Sequence, residues 1–348
     1  MKAGIVGASG YTGVELLRLL AGHPEIEVAV VTAHSHAGQL VGVHTPSLAA
    51  AYPGMVYEAA GLGEPAGLDD LDGLDVVFCA LPHGESQRLV PGLRDRVGLI
   101  VDLAADFRLR DPALYPAWYG EEHGAPELLA QAAFGLPELF RAGLPGASLI
   151  ASAGCYPTAA GLALAPLLRN GLVEASGIII DAASGVSGAG RGATEALHFG
   201  TVDENFTAYG LLTHRHTPEM EQILGASVLF TPHLAPMVRG ILATCYARPA
   251  ARAGTGPLST ADVMGALHAA YDDEPFVVVT DASPSTKATA GSNCAHVTAR
   301  VDDRTGWVLV LCALDNLIKG ASGQAIQCAN VALGLAETAG LPIAGLYP

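Results

Sequence analysis

The sequence is poor in positive charge. Its 348 residues include 18 Lys and Arg against 34 Asp and Glu, which gives a formal net charge of −16. Nucleic acids and anionic membranes are bound through clusters of Lys and Arg that displace counterions, so neither is expected as a partner. The few cations become informative, because an acidic protein can still bind an anionic substrate where they gather.

Paired cysteines and long apolar runs are also missing. None of the six cysteines stands in a Cys-x-x-Cys pair, which argues against a disulfide framework and a structural zinc site. No apolar run approaches the roughly 20 residues that span a bilayer, and the amino terminus has no secretion signal. With half of its residues hydrophobic and 15% charged, the chain is expected to be a compact enzyme of the reducing cytoplasm.

The first 150 residues predict a parallel sheet. A buried strand from Ala3 to Val6, a glycine turn, a helix from about Gly13 to Ala21 and a strand from Glu27 to Thr32 form a βαβ unit. Apolar runs at 75–81 and 99–104 are typical of parallel strands buried on both faces. We therefore predict an α/β, doubly wound, Rossmann-type domain over residues 1–150.

From about residue 151 the pattern becomes α+β. A helix after Pro157 precedes longer strands, and the runs 295–301 and 307–313 predict a hairpin. A mixed or antiparallel sheet is expected over residues 151–316, and this sheet is a candidate dimer surface. The C-terminal helix, within about 317–348, is expected to return to the first domain.

The glycine turn of the first domain predicts a nucleotide site. Gly7, Gly10 and Gly13 lie between the first strand and first helix, where glycines permit a tight turn and close approach of a pyrophosphate. The second strand is followed by His34-Ser35-His36, with no carboxylate to repel a 2′-phosphate, which favours NADP over NAD although no Arg stands there. The two histidines lack further ligands, and no metal site is predicted.

Cys155 differs from the other thiols. Cys79, Cys245, Cys312 and Cys328 lie inside apolar runs and are predicted to be core residues. Cys155 instead precedes Pro157, which suits the first position of a helix, so the sulfur would lie near a helix N-terminus that stabilises a thiolate. The alternative is a buried thiol beside a helix cap.

The segment 214–219 supplies a candidate base. It reads His-Arg-His-Thr-Pro-Glu, and a helix beginning with Thr217 as cap and Pro218 as first residue would leave His214, Arg215 and His216 unexplained. Cations also stand beside glycine- and serine-rich turns at Arg108, Arg191 and Lys319. Each alone is typical of a surface salt bridge; together they indicate an anion site.

These motifs jointly resemble the N-acetyl-gamma-glutamyl-phosphate reductases, which are related to aspartate-semialdehyde dehydrogenases. The resemblance covers essentially the whole chain through GASGYTG, ALPHG, DLAADFRL, GCYPT, SGVSGAGR, HRHTPE, RGILAT and DNLIKG. It implies reduction of an acyl phosphate with NADP(H) through a cysteine thioester, in arginine biosynthesis, by a homodimer or homotetramer.

The resemblance also implies residue roles. Cys155 would be the nucleophile and His216 the acid and base, with His214 as the alternative. Substrate would be bound or oriented by Arg108, Arg191, Arg215 and Glu219. The cofactor would be held by Gly7, Ser9, Gly10, Tyr11, Thr12, Gly13, Ser35, Pro82, His83, Gly188 and Asn316.

Three other interpretations remain open. The sister reductase of lysine biosynthesis acts on an aminoadipyl phosphate attached to a carrier protein and usually reads Gly-Cys-Asn, whereas Tyr156-Pro157 follows the cysteine here. An aspartate-semialdehyde dehydrogenase would also read Cys-Asn and would lack HRHTPE. A non-catalytic NADP-binding sensor would need neither Cys155 nor the histidine cluster.

Overall fold

The structure is a computed structural model, and it describes residues 1–59, 69–251 and 256–347. The chain forms two compact units. The first unit comprises Met1–Ala153 and Ala321–Leu341, and the second comprises Gly154–Gly320 and the chain from Pro342 onward. The final residues group with the second unit because their backbone pairs with it: Asn293 N–H donates to Pro342 O at 2.8 Å, and Leu346 N–H to Ala290 O at 2.7 Å.

The first unit contains seven strands among its described residues. They are β1 (Lys2–Val6), β2 (Glu27–Ala33), β3 (Glu58–Ala59), β4 (Val76–Cys79), β5 (Ile100–Asp102), β6 (Ala133–Gly135) and β7 (Leu149–Ser152). Its helices are α1 (Tyr11–Leu20), α2 (Val41–His44), α3 (Ser86–Leu93), α4 (Leu114–Tyr119), α5 (Pro126–Leu129), α6 (Pro137–Phe140) and, from the C-terminal part of the chain, α12 (Gly323–Ala332).

All strand pairs of this first sheet are parallel, in the order β3-β2-β1-β4-β5-β7-β6. The central strands β4 and β5 are buried at every residue, as expected where both faces of a parallel sheet are covered. Helix α12 contacts β5 and β7. The prediction of a doubly wound Rossmann-type sheet is confirmed.

The second unit contains the remaining elements. They are α7 (Cys155–Arg169), β8 (Ile178–Gly185), α8 (Phe199–Val202), β9 (Thr207–Ala208), α9 (Thr217–Leu224), β10 (Val228–Ala235), β11 (Ile241–Ala247), α10 (Thr260–Tyr271), β12 (Val277–Val279), α11 (Thr286–Thr289), β13 (Ala295–Val301) and β14 (Val308–Leu314). A π-helical turn (Ile318–Ser322) follows, of which residues 318–320 belong to the second unit and Ala321 and Ser322 to the first.

The second sheet is mixed, in the order β12-β13-β14-β11-β8-β10-β9. Strands β13 and β14 form the predicted antiparallel hairpin, with Val301 opposite Val308, while β8 and β10 run parallel. The predicted mixed or antiparallel α+β sheet is therefore confirmed. Among the helices of the described ranges, none is both long and apolar enough to cross a membrane.

Helix α7 is the buried helix of this unit. Its alanines and leucines from Ala159 to Leu167 are buried, and it packs on β11, β14 and helices α9 and α10. It begins at Cys155, two residues before the predicted start. Pro157 is its third residue instead of its first, which the helix tolerates because N–H groups of a first turn have no intrahelical acceptor.

Candidate active site

The glycine turn of the first unit is a tight crossing of backbone. Gly7 has a positive φ of 84°, and its N–H and that of Ala8 donate to Thr32 O at the end of β2. A Cβ on Gly7 would lie 2.4 Å from Ala80 O, and one on Gly13 would lie 2.5 Å from Ala8 Cα. Glycine is required at both positions, since any side chain would collide with backbone.

The middle of this turn is open. Gly10 caps α1 without a side chain, and an added Cβ there would meet its nearest neighbour, Gly7 O, only at 3.6 Å. Ser9 and Thr12 are half-buried and Tyr11 is 40% exposed. The first turn of α1 holds no acidic residue, so its N-terminal amides present a positive dipole suited to phosphate.

The predicted cofactor contacts Ser35, Pro82 and His83 follow the ends of strands in the same unit. Ser35 is exposed just after β2, and Pro82 is exposed just after β4. His83 is held in place: its Nδ1 lies 2.5 Å from Asp106 Oδ1, and its ring packs on Tyr119 with centroids 4.2 Å apart.

Asp106 fixes the loop that carries His83, a role the sequence analysis did not identify. Its buried carboxylate also accepts the N–H groups of Gly84 and Gln87, at 2.9 and 3.0 Å. Burial raises the pKa of Asp106, but the bonds from His83 and these amides outweigh burial and leave the pKa below its usual value.

Arg108, predicted to bind substrate, is buried in the first unit. Its guanidinium donates to two backbone carbonyls, Ser152 O at 2.8 Å and Leu103 O at 2.7 Å. These bonds tie the end of β7 to the segment after β5. The side chain therefore has a structural function that the sequence pattern did not indicate, beside the substrate role that stays a prediction.

Cys155 is the first residue of α7 and is half-buried. The preceding Gly154 caps the helix without a side chain. Its backbone N–H donates to Glu219 Oε1 at 2.8 Å, and Glu219 is completely buried in the first turn of α9. The Glu219 carboxylate thus links the N-terminus of α9 to that of α7. Because it binds the backbone residue before Cys155, Glu219 has a positioning function.

The other five cysteines are all buried. Burial raises the pKa of Cys79 and Cys245 and raises that of Cys312 to about 12. A raised thiol pKa suppresses the thiolate that nucleophilic attack requires. Cys155 is thus the thiol of this chain whose surroundings allow access.

The two histidines of the 214–219 segment have different surroundings. His214 Nδ1 accepts the backbone N–H of His216 at 3.2 Å, which fixes that nitrogen as unprotonated. Burial, followed by the charge of Arg215, lowers the pKa of His214 to about 4. His216 caps α9, which begins at Thr217; the predicted cap at Thr217 with Pro218 as first residue is therefore one position late.

An aromatic cluster connects the cysteine segment to these histidines. The Tyr156 ring lies 5.5 Å from the His214 ring and 5.9 Å from the His216 ring, and its hydroxyl is 3.1 Å from that of Tyr209. Burial raises the pKa of Tyr156 and raises that of Tyr209 to about 12. Both phenols stay protonated. The sequence singled out Tyr156 only as the residue that follows the cysteine, and Tyr209 was not identified because an aromatic residue alone carries no site signal.

The remaining predicted residues belong to the second unit, where Gly188 lies in a short 3₁₀ helix (Val186–Ala189) and the others lie in loops. Arg191, Arg215 and Gly188 are exposed. Asn316 is buried: its amide oxygen accepts Gly240 N–H at 2.7 Å, and its amide nitrogen donates to Ser187 Oγ at 3.0 Å. Asn316 therefore holds two loops together, a role additional to the cofactor contact predicted for it.

Both units match known domain families. Residues 2–147 match the semialdehyde dehydrogenase NAD binding domain, and residues 155–316 match the semialdehyde dehydrogenase dimerisation domain. Solved aspartate semialdehyde dehydrogenases share the fold: one from Vibrio cholerae has a TM-score of 0.68 at 15% identity, covering 95% of this chain and 97% of that one. The NADP-bound enzyme from Candida albicans gives 0.67 at 17% identity, covering 95% and 97% of the two chains. The chain thus has the architecture of a semialdehyde dehydrogenase.

Relatives that match over the full length of the chain identify its family within the semialdehyde dehydrogenase fold. Proteins from Symbiobacterium thermophilum and Desulforudis audaxviator, both named N-acetyl-gamma-glutamyl-phosphate reductase, are each 49% identical to it; the matches cover all of this chain and 99% and 100% of those proteins. The chain belongs to the N-acetyl-gamma-glutamyl-phosphate reductase family, as the sequence motifs indicated. It is an oxidoreductase with a nicotinamide dinucleotide cofactor, a small-molecule substrate and a dimerisation domain.

Proposed function

We propose that this enzyme reduces N-acetyl-gamma-glutamyl phosphate to N-acetylglutamate semialdehyde, a step of arginine biosynthesis, with NADPH as reductant. The observation that carries the proposal is the pairing of two helix starts. Cys155 opens α7, His216 caps α9, and buried Glu219 joins the two through Gly154 N–H at 2.8 Å. A nucleophile and a proton carrier at the starts of two helices that are hydrogen-bonded to each other suit acyl transfer through a thioester.

In the proposed reaction the Cys155 thiolate attacks the acyl carbon, and the C–O bond to phosphate breaks. The thioester left on Cys155 is reduced to a thiohemiacetal, which collapses to aldehyde and regenerates the thiolate. His216 carries the proton that the thiohemiacetal oxygen gains and loses. The N-terminal dipole of α7 stabilises the thiolate and the oxyanions that develop beside it.

His216 is preferred over His214 for this transfer. His214 accepts the His216 N–H through Nδ1, and its pKa of about 4 keeps it neutral near pH 7. Its place is to hold the loop that presents His216. Arg191 and Arg215, both exposed, are proposed to bind the phosphate or carboxylate of the substrate, while Arg108 and Glu219 orient the backbone around it.

The first unit fits a dinucleotide. Its glycine turn leaves space beside Gly10, whereas the backbone at Gly7 and Gly13 is packed closely against neighbouring backbone. The helix that follows has no acidic residue in its first turn. We assign the pyrophosphate to Gly7, Ser9, Gly10, Tyr11, Thr12 and Gly13, and the rest of the cofactor to Ser35, Pro82, His83, Gly188 and Asn316. When bound, NADPH supplies the hydride. The preference for NADP rests on the exposed Ser35 and the lack of an acid after β2.

The substrate assignment is tested in the reverse direction. Purified enzyme should reduce NADP when given N-acetylglutamate semialdehyde and phosphate, followed by absorbance at 340 nm. Activity only with the aminoadipate semialdehyde analogue would move the enzyme to the lysine branch. Binding of NADPH without turnover of either aldehyde would favour the sensor interpretation.

Two alanine substitutions in the glycine turn separate folding from cofactor binding. Gly13→Ala forces a Cβ to within 2.5 Å of backbone atoms, so the free energy of unfolding should fall by about 1–3 kcal/mol. Gly10→Ala has room, so stability should change by less than about 1 kcal/mol. Its methyl group would nevertheless keep a pyrophosphate from the turn and raise the Kd for NADPH about tenfold.

Thermal unfolding and fluorescence titration with NADPH give the two quantities. Wild-type affinity in Gly10→Ala would show that phosphates do not approach the turn. A wild-type melting temperature in Gly13→Ala would contradict the close backbone crossing.

Assembly and location complete the proposal. A homodimer or homotetramer built through the second unit is proposed from its match to a dimerisation domain. A cytoplasmic location is proposed from the six thiols, which suit a reducing compartment.

A further inference from the structure

The π-helical turn Ile318–Ser322 lies against the reactive cysteine. A Cβ built on Gly320 would be 2.8 Å from Cys155 Cβ and 3.2 Å from Cys155 Cα. Contacts below 3.0 Å between such atoms are not tolerated, and neither cysteine atom belongs to a flexible side-chain end. Gly320 does not have a positive φ, so its backbone conformation does not require glycine. The need for glycine here comes from the approach to Cys155.

The turn is fixed in position by Asp315. Gly320 N–H donates to Asp315 O at 2.9 Å, a bond with the i→i+5 spacing that π-helices use. The Asp315 carboxylate is completely buried, and its Oδ1 accepts the N–H groups of Leu317 and Ile318 at 2.9 and 3.2 Å. One residue therefore holds both the start and the middle of the turn.

The same carboxylate anchors the turn to the rest of the second unit. Asp315 Oδ2 accepts Gly291 N–H at 2.8 Å, and Oδ1 pairs with Arg239 Nη2 at 3.1 Å. Wide π-turns are uncommon and occur frequently at functional sites. The buried Asp315 carboxylate and the three backbone N–H groups that it accepts hold this turn in place. Gly320 is therefore kept at a fixed distance from Cys155.

We infer that Gly320, held by Asp315, is a positioning residue that sets the place of the Cys155 side chain for attack. Both residues belong to the motif DNLIKG, in which Asn316 is already proposed as a cofactor contact. The backbone of the turn occupies the space on one side of Cys155 Cβ. The sulfur atom can therefore point only away from the turn. This inference rests on the proposed function, in which Cys155 is the nucleophile.

The test is Gly320→Ala, with Gly265→Ala as the matched control. Gly265 lies exposed in α10 with nothing within 4 Å of an added Cβ, so its variant should keep wild-type activity. In Gly320→Ala the cysteine must move by a fraction of an ångström. We expect kcat to fall about tenfold to a hundredfold, with KM changed less than about threefold. Alkylation of Cys155 by iodoacetamide, followed by mass spectrometry, should change rate by a similar factor.

A merely structural glycine would behave differently, since the melting temperature would fall while kcat and the alkylation rate of the folded protein stayed at wild type. That result overturns the inference. Should Gly320→Ala not fold, Asp315→Asn takes its place: Oδ1 remains an acceptor, but the amide nitrogen meets Gly291 N–H, and the same kcat loss is expected. Wild-type kcat in folded Asp315→Asn then overturns it.

Failure of the proposed function gives a separate signature. If Cys155→Ala retained turnover, Cys155 would not be the nucleophile, whatever Gly320→Ala did. If Cys155→Ala is inactive and Gly320→Ala is fully active, only the positioning inference fails.

Discussion

Cys155→Ala is expected to reduce kcat by at least about 10⁴-fold while leaving NADPH affinity unchanged, because the variant lacks the atom that forms the thioester. Cys155 is not among the residues proposed to hold the cofactor, so its truncation should leave NADPH binding intact. Reverse-direction turnover and a fluorescence titration with NADPH measure the two effects separately.

The matched control for this variant is Cys328→Ala. Cys328 is buried within α12, where alanine is a good helix former, so turnover should stay within about twofold of wild type. Iodoacetamide should modify Cys155 first in the wild type, because the other five thiols are buried. Turnover in Cys155→Ala, or faster labelling of a core cysteine, would eliminate the covalent mechanism.

The second large effect is expected at His216. His216→Asn removes the proton carrier and should lower kcat by about 10²–10⁴-fold, the usual contribution of general acid–base catalysis. His214→Asn is the informative comparison, since an asparagine oxygen can accept the His216 N–H in place of Nδ1. That variant should lose no more than about tenfold.

The pH dependence of kcat distinguishes the two rings further. His214, with a pKa of about 4, is deprotonated throughout the range from pH 6 to 8. Removing it should therefore leave the shape of the kcat profile in that range unchanged, whereas His216→Asn should alter it. A large loss with a changed profile in His214→Asn alone would assign the acid and base role to His214.

Local patterns in the sequence were sufficient for the first βαβ unit. The strand, glycine turn and helix around Gly7–Gly13 are contiguous, and each element has its own periodicity or turn chemistry. Short strands such as β6 (Ala133–Gly135) were not predicted, because three residues carry no measurable periodicity. The order of strands within a sheet is likewise a property of distant pairings.

Some residues of the candidate site were likewise predictable from local sequence, and others were not. Cys155 and the histidine segment were found from residue type and spacing, whereas the bond from Gly154 to Glu219 joins positions 65 residues apart. Gly320 is still further from Cys155 in sequence, and a glycine that is required by a neighbour's Cβ cannot be told from any other glycine in the sequence alone. The start of α7 was misplaced because proline is compatible with several positions of a first turn.

The placement of α12 has a consequence for synthesis of the protein. This helix packs on β5 and β7 of the first unit, yet it is encoded more than 170 residues after β7 ends. During translation at about 5–20 residues per second, the parallel sheet must wait many seconds for the helix that covers part of it. The apolar surface of β5 and β7 remains accessible to chaperones, or to other nascent chains, until residues 321–341 have left the ribosome.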